Sequence, residues 1–140
     1  MKTSARETSL CALWVGVSKT DGSLLHEIFR KAGWRLLAAR ERRRAMSCLV
    51  RNPVQVVIAE RDLPDWNWKK VLGDLRLLAA PPQLIVTSRD ADDYLWAEAL
   101  NVGAYDVLSQ PLDRDEVERV VASARRHFEA GPHQTVAASA

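Results

Sequence analysis

Glu60, Asp62 and Asp65 bring three carboxylates together after a short apolar run, where they could accept a phosphoryl group or hold a metal ion. For Asp62 and Asp65 local turn formation is reason enough, because they flank a Leu-Pro pair in a loop. Cys11 and Cys48 have no CxxC or Cys/His spacing, and Cys11 sits in an apolar run where a small hydrophobe is useful. His26, His127 and His133 share no ligand spacing and neighbour no nucleophile, so they read as surface residues. Arg40, Arg42, Arg43 and Arg44 form the densest charge cluster. It could meet an acidic partner or a nucleic acid backbone, but Glu41 and the lack of interleaved aromatics favour a solvated helix face. From these residues no catalytic group, cofactor or metal site follows.

The elements that must position them are read from hydrophobic period. The chain has 140 residues, 47% of them hydrophobic, enough for one domain with its own core. A formal charge of +2 gives no field that demands nucleic acid or an anionic membrane. No apolar stretch approaches the roughly 18 residues of a membrane span, and Met1–Ser9 lacks the apolar centre of a signal peptide, so a soluble protein of the reducing cytoplasm is expected. Short apolar runs alternate with helical spacing. Strands are expected at Cys11–Val17, Trp34–Ala38, Val54–Ala59, Gln83–Thr87 and Tyr105–Ser109. Five helices intervene or follow: one capped by Thr20 or Asp21 and stopped by Gly33, one at Arg40–Arg51, one from Trp68, one at Asp90–Val102 stopped by Gly103, and a last one capped by Asp113. Val117, Val120, Val121, Ala124 and Phe128 form the stripe of that last helix. Five strands alternating with five helices require an α/β parallel sheet covered on both faces, a doubly wound fold whose ligands bind beyond the carboxyl ends of the strands.

Several local motifs, in order and spacing, resemble the receiver domain of two-component response regulators. Leu63-Pro64-Asp65 is similar to the turn after that family's phospho-accepting strand, Thr87-Ser88 to its Thr/Ser at the end of strand four, and Gly103-Ala104 through Gln110-Pro111 to its Gly-Ala to Lys-Pro segment. The resemblance spans about Ala12 to Phe128. It implies a three-layer flavodoxin-like sheet of order 2-1-3-4-5, with residues 1–9 a flexible N-terminus, 10–129 the receiver-like domain and 130–140 a disordered tail or linker. It also suggests a cis Gln110-Pro111 bond.

The family's chemistry needs an Asp nucleophile, an acidic pair for Mg²⁺, a Thr/Ser donor and a Lys. Here the nucleophile position holds Glu60, and the Lys position holds Gln110, which donates a hydrogen bond but brings no charge. The acidic pair falls at Gly16 and Val17, or Val17 and Ser18, where there is no carboxylate. Thr87 alone is retained; the aromatic switch residue is Val107 and the Gly after the Leu-Pro loop is Trp68. Glu60 could mimic a phosphorylated state as an anion near Thr87, or be a solvent-facing or Arg61-paired carboxylate, with Gln110 bonding Glu60 or a loop carbonyl.

The expected function is therefore a non-catalytic pseudo-receiver acting through contact with a protein partner or a fused output domain, with no membrane or nucleic acid partner. Two alternatives stay open: an atypical phospho-acceptor using Glu60, Asp62 or Asp65, and a small-ligand sensor in a crevice lined by Gly16, Val17, Thr87 and Gln110. Trp66, Trp68 and Trp96 fall in or near segments that face partners in the family. Tyr94, Ala97 and Leu100 are read as the inward face of the fourth helix, leaving Trp96 exposed. A homodimer or effector face on helix four, strand five and helix five would then include Trp96, Tyr105, Val107, Arg119 and Arg126.

Overall fold

The computed structural model of the protein describes residues 10–139, with side chains as far as Ala130. Expectations for residues 1–9, and for the side chains beyond Ala130, lie outside the described residues. Apolar runs that must be covered on both faces become the middle of the sheet. β1 (Cys11–Val15) and β3 (Val56–Glu60) are buried at every position, and β4 (Gln83–Ser88) at all but its first. β2 (Arg35–Ala39) and β5 (Asp106–Ser109) are the edges. The order is β2-β1-β3-β4-β5 with every pair parallel, the doubly wound three-layer α/β sheet expected from the sequence.

The period of two along each strand divides the core. Leu13, Val15, Val57, Ala59, Leu84 and Val86 pack against α2 (Arg42–Arg51), α3 (Trp68–Leu75) and α4 (Asp93–Val102). Ala12, Trp14, Val56, Ile58, Ile85 and Leu108 pack against α1 (Lys19–Ala32) and α5 (Arg114–Ser139). Each fully buried aliphatic or aromatic side chain contributes roughly 1.5–3 kcal/mol of transfer free energy. Gly33 (φ 74°) and Gly103 (φ 118°) end α1 and α4 in the left-handed region, as their positions predict. Asp113 Oδ2 accepts from the Glu116 amide at 3.0 Å, so the expected cap of α5 is present, and the Gln110-Pro111 bond is cis.

Several local expectations are corrected. Ser18, not Thr20 or Asp21, caps α1: its Oγ accepts from the Asp21 amide at 3.2 Å. β2 is shifted by one residue because the Trp34 N–H still donates to the Phe29 carbonyl at 2.9 Å, closing α1, while its ring packs edge-on against Phe29 with centroids 5.4 Å apart. α4 begins at Asp93, since Asp92 Oδ1 takes the Leu95 amide at 2.9 Å. That start rotates the helix from the expected setting: Leu95 and Ala99 face the core, while Tyr94 and Ala97 are exposed. Trp96 is exposed as expected. The segment expected as a plain loop after β3 holds a two-residue antiparallel ladder, Asp62–Leu63 with Trp66–Asn67. Trp66 and Trp68 are core residues, not partner-facing ones.

Candidate functional site

Parallel pairing brings the carboxyl ends of β1, β3, β4 and β5 to one edge, where Glu60 lies beside Thr87 and Ser88 beside Ser109 in register. Glu60 is buried and neither solvent-facing nor paired with Arg61, which instead meets Asp62 at 3.6 Å. Its carboxylate turns back across the sheet to the loop after β1. Oε1 accepts from the Val17 amide at 2.8 Å, and Oε2 from the Ser18 amide at 3.2 Å and from Gln110 Nε2 at 3.2 Å. The close approach depends on Gly16. A Cβ there would stand 2.3 Å from Trp14 Cζ2 and 2.8 Å from Glu60 Cδ, so a side chain at position 16 would displace an indole or the carboxylate.

Sequence reasoning misses Asp21 as a site residue, because it takes this aspartate for a cap and finds no carboxylate opposite Glu60. In the fold Asp21 is buried in the first turn of α1 and points inward, with Oδ1 accepting from the Leu112 amide at 3.1 Å and Oδ2 from Gln110 Nε2 at 2.6 Å. The signal is the Ser18-x-x-Asp21 spacing, which makes Ser18 the cap and Asp21 the third helical residue. Gln110 therefore bridges two carboxylates with one amide nitrogen, a stronger form of the bonding expected of it.

The arrangement decides whether a divalent cation fits. Mg²⁺ needs carboxylate and water oxygens in a near-octahedral shell. Between Asp21 and Glu60 stands an amide donor 2.6 and 3.2 Å from their oxygens, and both Glu60 oxygens already face backbone N–H groups. The residues do not fit a metal ion. Nor does Glu60 engage Thr87. Thr87 Oγ1 is fully buried and is the one buried side-chain polar atom without a partner among the described residues. Thr87 lines a cleft of about 430 Å³ together with Val17, Glu60, Arg61, Asp62, Arg89 and Gln110. Gly16, expected in that crevice, borders a neighbouring one instead.

The remaining sequence candidates lie away from this edge. Trp96 is half-exposed, Tyr105 partly buried, and Arg119 and Arg126 exposed; Val107 is buried in the core and offers no surface. It belongs to the inward half of β5, as its pairing with Val86 requires. The Tyr105 hydroxyl is hydrogen-bonded to Ser123 Oγ. The arginine cluster divides: Arg42 Nε donates to Asp74 Oδ2 at 2.9 Å, and the Trp66 indole N–H donates to the same oxygen at 2.9 Å. The hydrogen bond from Arg42, aided by that from Trp66 and opposed by desolvation, holds the Asp74 carboxyl below its ordinary value. Burial pushes the Cys11 thiol up, consistent with a packing role. Among the described residues no helix is long and apolar enough to cross a membrane.

Comparison with known proteins gives a consistent result. The sequence profile of the response regulator receiver domain matches residues 20–122. The fold is similar to the signal receiver domain of an HD domain-containing protein from Pseudomonas fluorescens Pf-5, with TM-score 0.77, 24% identity, and coverage of 87% of this chain and 98% of that one. It is also similar to the receiver domain of Francisella response regulator 1452 (TM-score 0.72, 19% identity, 84% and 96% covered). A third neighbour is the receiver domain of Saccharomyces cerevisiae Ssk1, solved with the histidine phosphotransfer protein Ypd1 (TM-score 0.74, 14% identity, 85% and 90% covered). No curated protein matches significantly in sequence.

Proposed function

The chain belongs to the response regulator receiver family of two-component signalling, and from that premise we propose that it is a pseudo-receiver: a regulatory domain that works by protein contact, without phosphorylation at the family's acceptor position. The observation that carries this is the state of Glu60. A nucleophile must present a free oxygen in line with the phosphoryl donor, with cationic charge nearby to stabilise the transferring group. Glu60 instead has both oxygens turned onto the Val17 and Ser18 amides, and the group that reaches it from β5 is the neutral Gln110. Partner contact is assigned to α4, β5 and α5, through Trp96, Tyr105, Arg119 and Arg126, either in a homodimer or against a partner or fused output domain. The complex of the yeast neighbour with a phosphotransfer protein supports a protein partner.

The test is intact-mass analysis after incubation with Mg²⁺ and acetyl phosphate, beside an ordinary receiver that proves the donor competent. No adduct on this chain is the expected result. An adduct abolished by Glu60→Gln, Asp62→Asn or Asp65→Asn would make the protein an atypical phospho-acceptor. One observation favours a second reading, a non-covalent small-ligand sensor: the unpartnered Thr87 hydroxyl at the cleft bordered by Arg61 and Arg89. Saturable chemical-shift changes at Arg61, Thr87 and Arg89 on addition of a small anion would support it.

A further inference from the structure

A larger cleft, about 760 Å³, opens at the same edge of the sheet between the loop after β1 and the loop after β2. Its volume is within the roughly 300–1,000 Å³ common for small-molecule sites. Glu60 and Thr87 do not border it, whereas Val17 and Ser18, whose amides hold the Glu60 carboxylate, border both clefts. The floor is made by residues with little or no side chain, Gly16, Gly22, Ala38 and Ala39, against the edge of the Trp14 indole. Trp14 is only 3% exposed, and among the described residues its Nε1 has no hydrogen-bond partner yet is not a buried atom, so the surface it keeps is at this edge of the ring. A Cβ on Gly22 would stand 3.3 Å from that nitrogen, so the absence of one leaves the indole N–H open on the side that borders the cleft.

The rim is cationic. Lys19, Arg40 and Arg44 border the cleft, and among the described residues none of them is in an ion pair, whereas Arg42 of the same cluster is neutralised by Asp74. Glu41 is the one acidic residue on the rim. α1 also starts here, but its first turn already carries the Asp21 carboxylate and the Val17 and Ser18 amides ahead of it bond Glu60, so the cationic side chains make the field. Unpaired cationic side chains and an unpaired indole donor around one concavity select a compact, multiply charged anion with hydrogen-bond acceptors. The cavity is larger than inorganic phosphate alone requires, and its floor is largely apolar.

We propose that this cleft binds a small organic phosphate of mononucleotide size. The phosphate groups meet Lys19, Arg40 and Arg44, and the uncharged part lies over Ala38, Ala39 and the Trp14 edge. A polymer is disfavoured because the cations surround a concavity and do not form a stripe.

The experiment is calorimetric titration of the whole chain with AMP, ATP, GTP, inorganic pyrophosphate and a short single-stranded RNA. The expected result is saturable binding of at least one nucleotide with Kd of about 1–100 μM. The Arg40→Ala/Arg44→Ala double variant should weaken it by at least about tenfold, an expectation based on loss of two charge-assisted contacts. Trp14→Phe, which keeps a ring but removes the N–H, should weaken it by about threefold. Both arginines are exposed, so the double variant should keep its fold, which circular dichroism checks. Three outcomes overturn the proposal: no heat from any nucleotide at about 1 mM, binding unchanged in the double variant, or pyrophosphate or RNA binding at least as tightly as every nucleotide.

Discussion

Gly16→Ala and Gly73→Ala are the same chemical change at two positions, and the structure assigns them opposite signs. Ala in place of Gly restricts the unfolded chain and stabilises by about 0.4–1 kcal/mol wherever the native backbone and space allow. Gly73 lies in α3 with nothing within 4 Å of an added Cβ, so it should show that gain, reinforced by helix propensity. At Gly16 the added carbon meets Trp14 Cζ2 at 2.3 Å, Trp14 Cη2 at 2.6 Å and Glu60 Cδ at 2.8 Å. None of these atoms is free to move. Trp14 is packed into the α1/α5 face of the core, and Glu60 is fixed by three hydrogen bonds. Overpacking of this kind costs about 1–3 kcal/mol, and loosening the Glu60 bonds adds about 1 kcal/mol or more. The net expectation is a loss of about 2–4 kcal/mol for Gly16→Ala, against a gain of about 0.5–1 kcal/mol for Gly73→Ala. Urea denaturation followed by circular dichroism measures both, with an unchanged m-value confirming that the folded state is the one altered. A Gly16→Ala protein as stable as the parent would refute the assignment of Gly16 as the residue that lets Glu60 cross to the β1 loop. Trp14→Leu removes the two nearest ring carbons, so the Trp14→Leu/Gly16→Ala double variant should lose less than the sum of the single losses.

Further predictions concern the other contacts. Gln110→Leu, close in volume, removes the donor shared by Asp21 and Glu60, which keep only their backbone partners, and should cost about 2–4 kcal/mol by urea denaturation; a loss below about 0.5 kcal/mol would contradict the bridging role. Trp66→Phe keeps the buried ring but takes one donor from Asp74 and should cost about 1–2 kcal/mol by the same assay. Asp74 has a folded pKa below its unfolded one, so its contribution is present above the unfolded pKa and lost as pH falls through the folded value. The stability gap between the parent and Asp74→Asn should thus be open at neutral pH and close below the ordinary aspartate range; a gap that widens in acid would reverse the argument. Trp96→Ala should leave the unfolding midpoint within about 0.5 kcal/mol. By light scattering it should weaken self-association or partner binding, and no change there would exclude α4 from the contact face.

The fold is legible because each buried strand is a short apolar run and each covering helix a periodic one; the order of the strands comes with the family resemblance. Thr87, Glu60 and Gln110 are placed by their distances from Leu-Pro and Gly-Ala pairs, and parallel pairing brings strand ends together whatever their separation in sequence. Side-chain direction is less legible. Asp21 looks like a cap because an acid at the start of a helix usually is one, and Ser18 competes for the same place. The α4 face is off by one residue for a related reason: four acidic or polar residues precede it, and which one caps fixes the rotation of everything after. Trp66 looks exposed because it sits in a loop, whereas Trp68 starts the apolar face of the next helix, as its spacing from Val71, Leu72 and Leu75 predicts. Only the fold shows that the loop folds back as a ladder, burying the Trp66 ring while its N–H meets Asp74.

The three bonds at Glu60 also bear on how this chain could change by single substitutions. Aspartate at position 60 would be the family's usual acceptor, but its carboxyl would stop about 1.5 Å short. The Val17 and Ser18 amides and Gln110 would lose their partner before any chemistry was gained, because position 110 would still bring no positive charge. Lysine at position 110 alone could join Asp21 to Glu60 as an ion bridge, yet it would bind the carboxylate more tightly in its present place. Each single step toward phosphoryl acceptance therefore either weakens the fold or deepens the present arrangement, and even paired changes at positions 60 and 110 would leave Gly16, Val17 and Ser18 without the acidic pair that holds Mg²⁺.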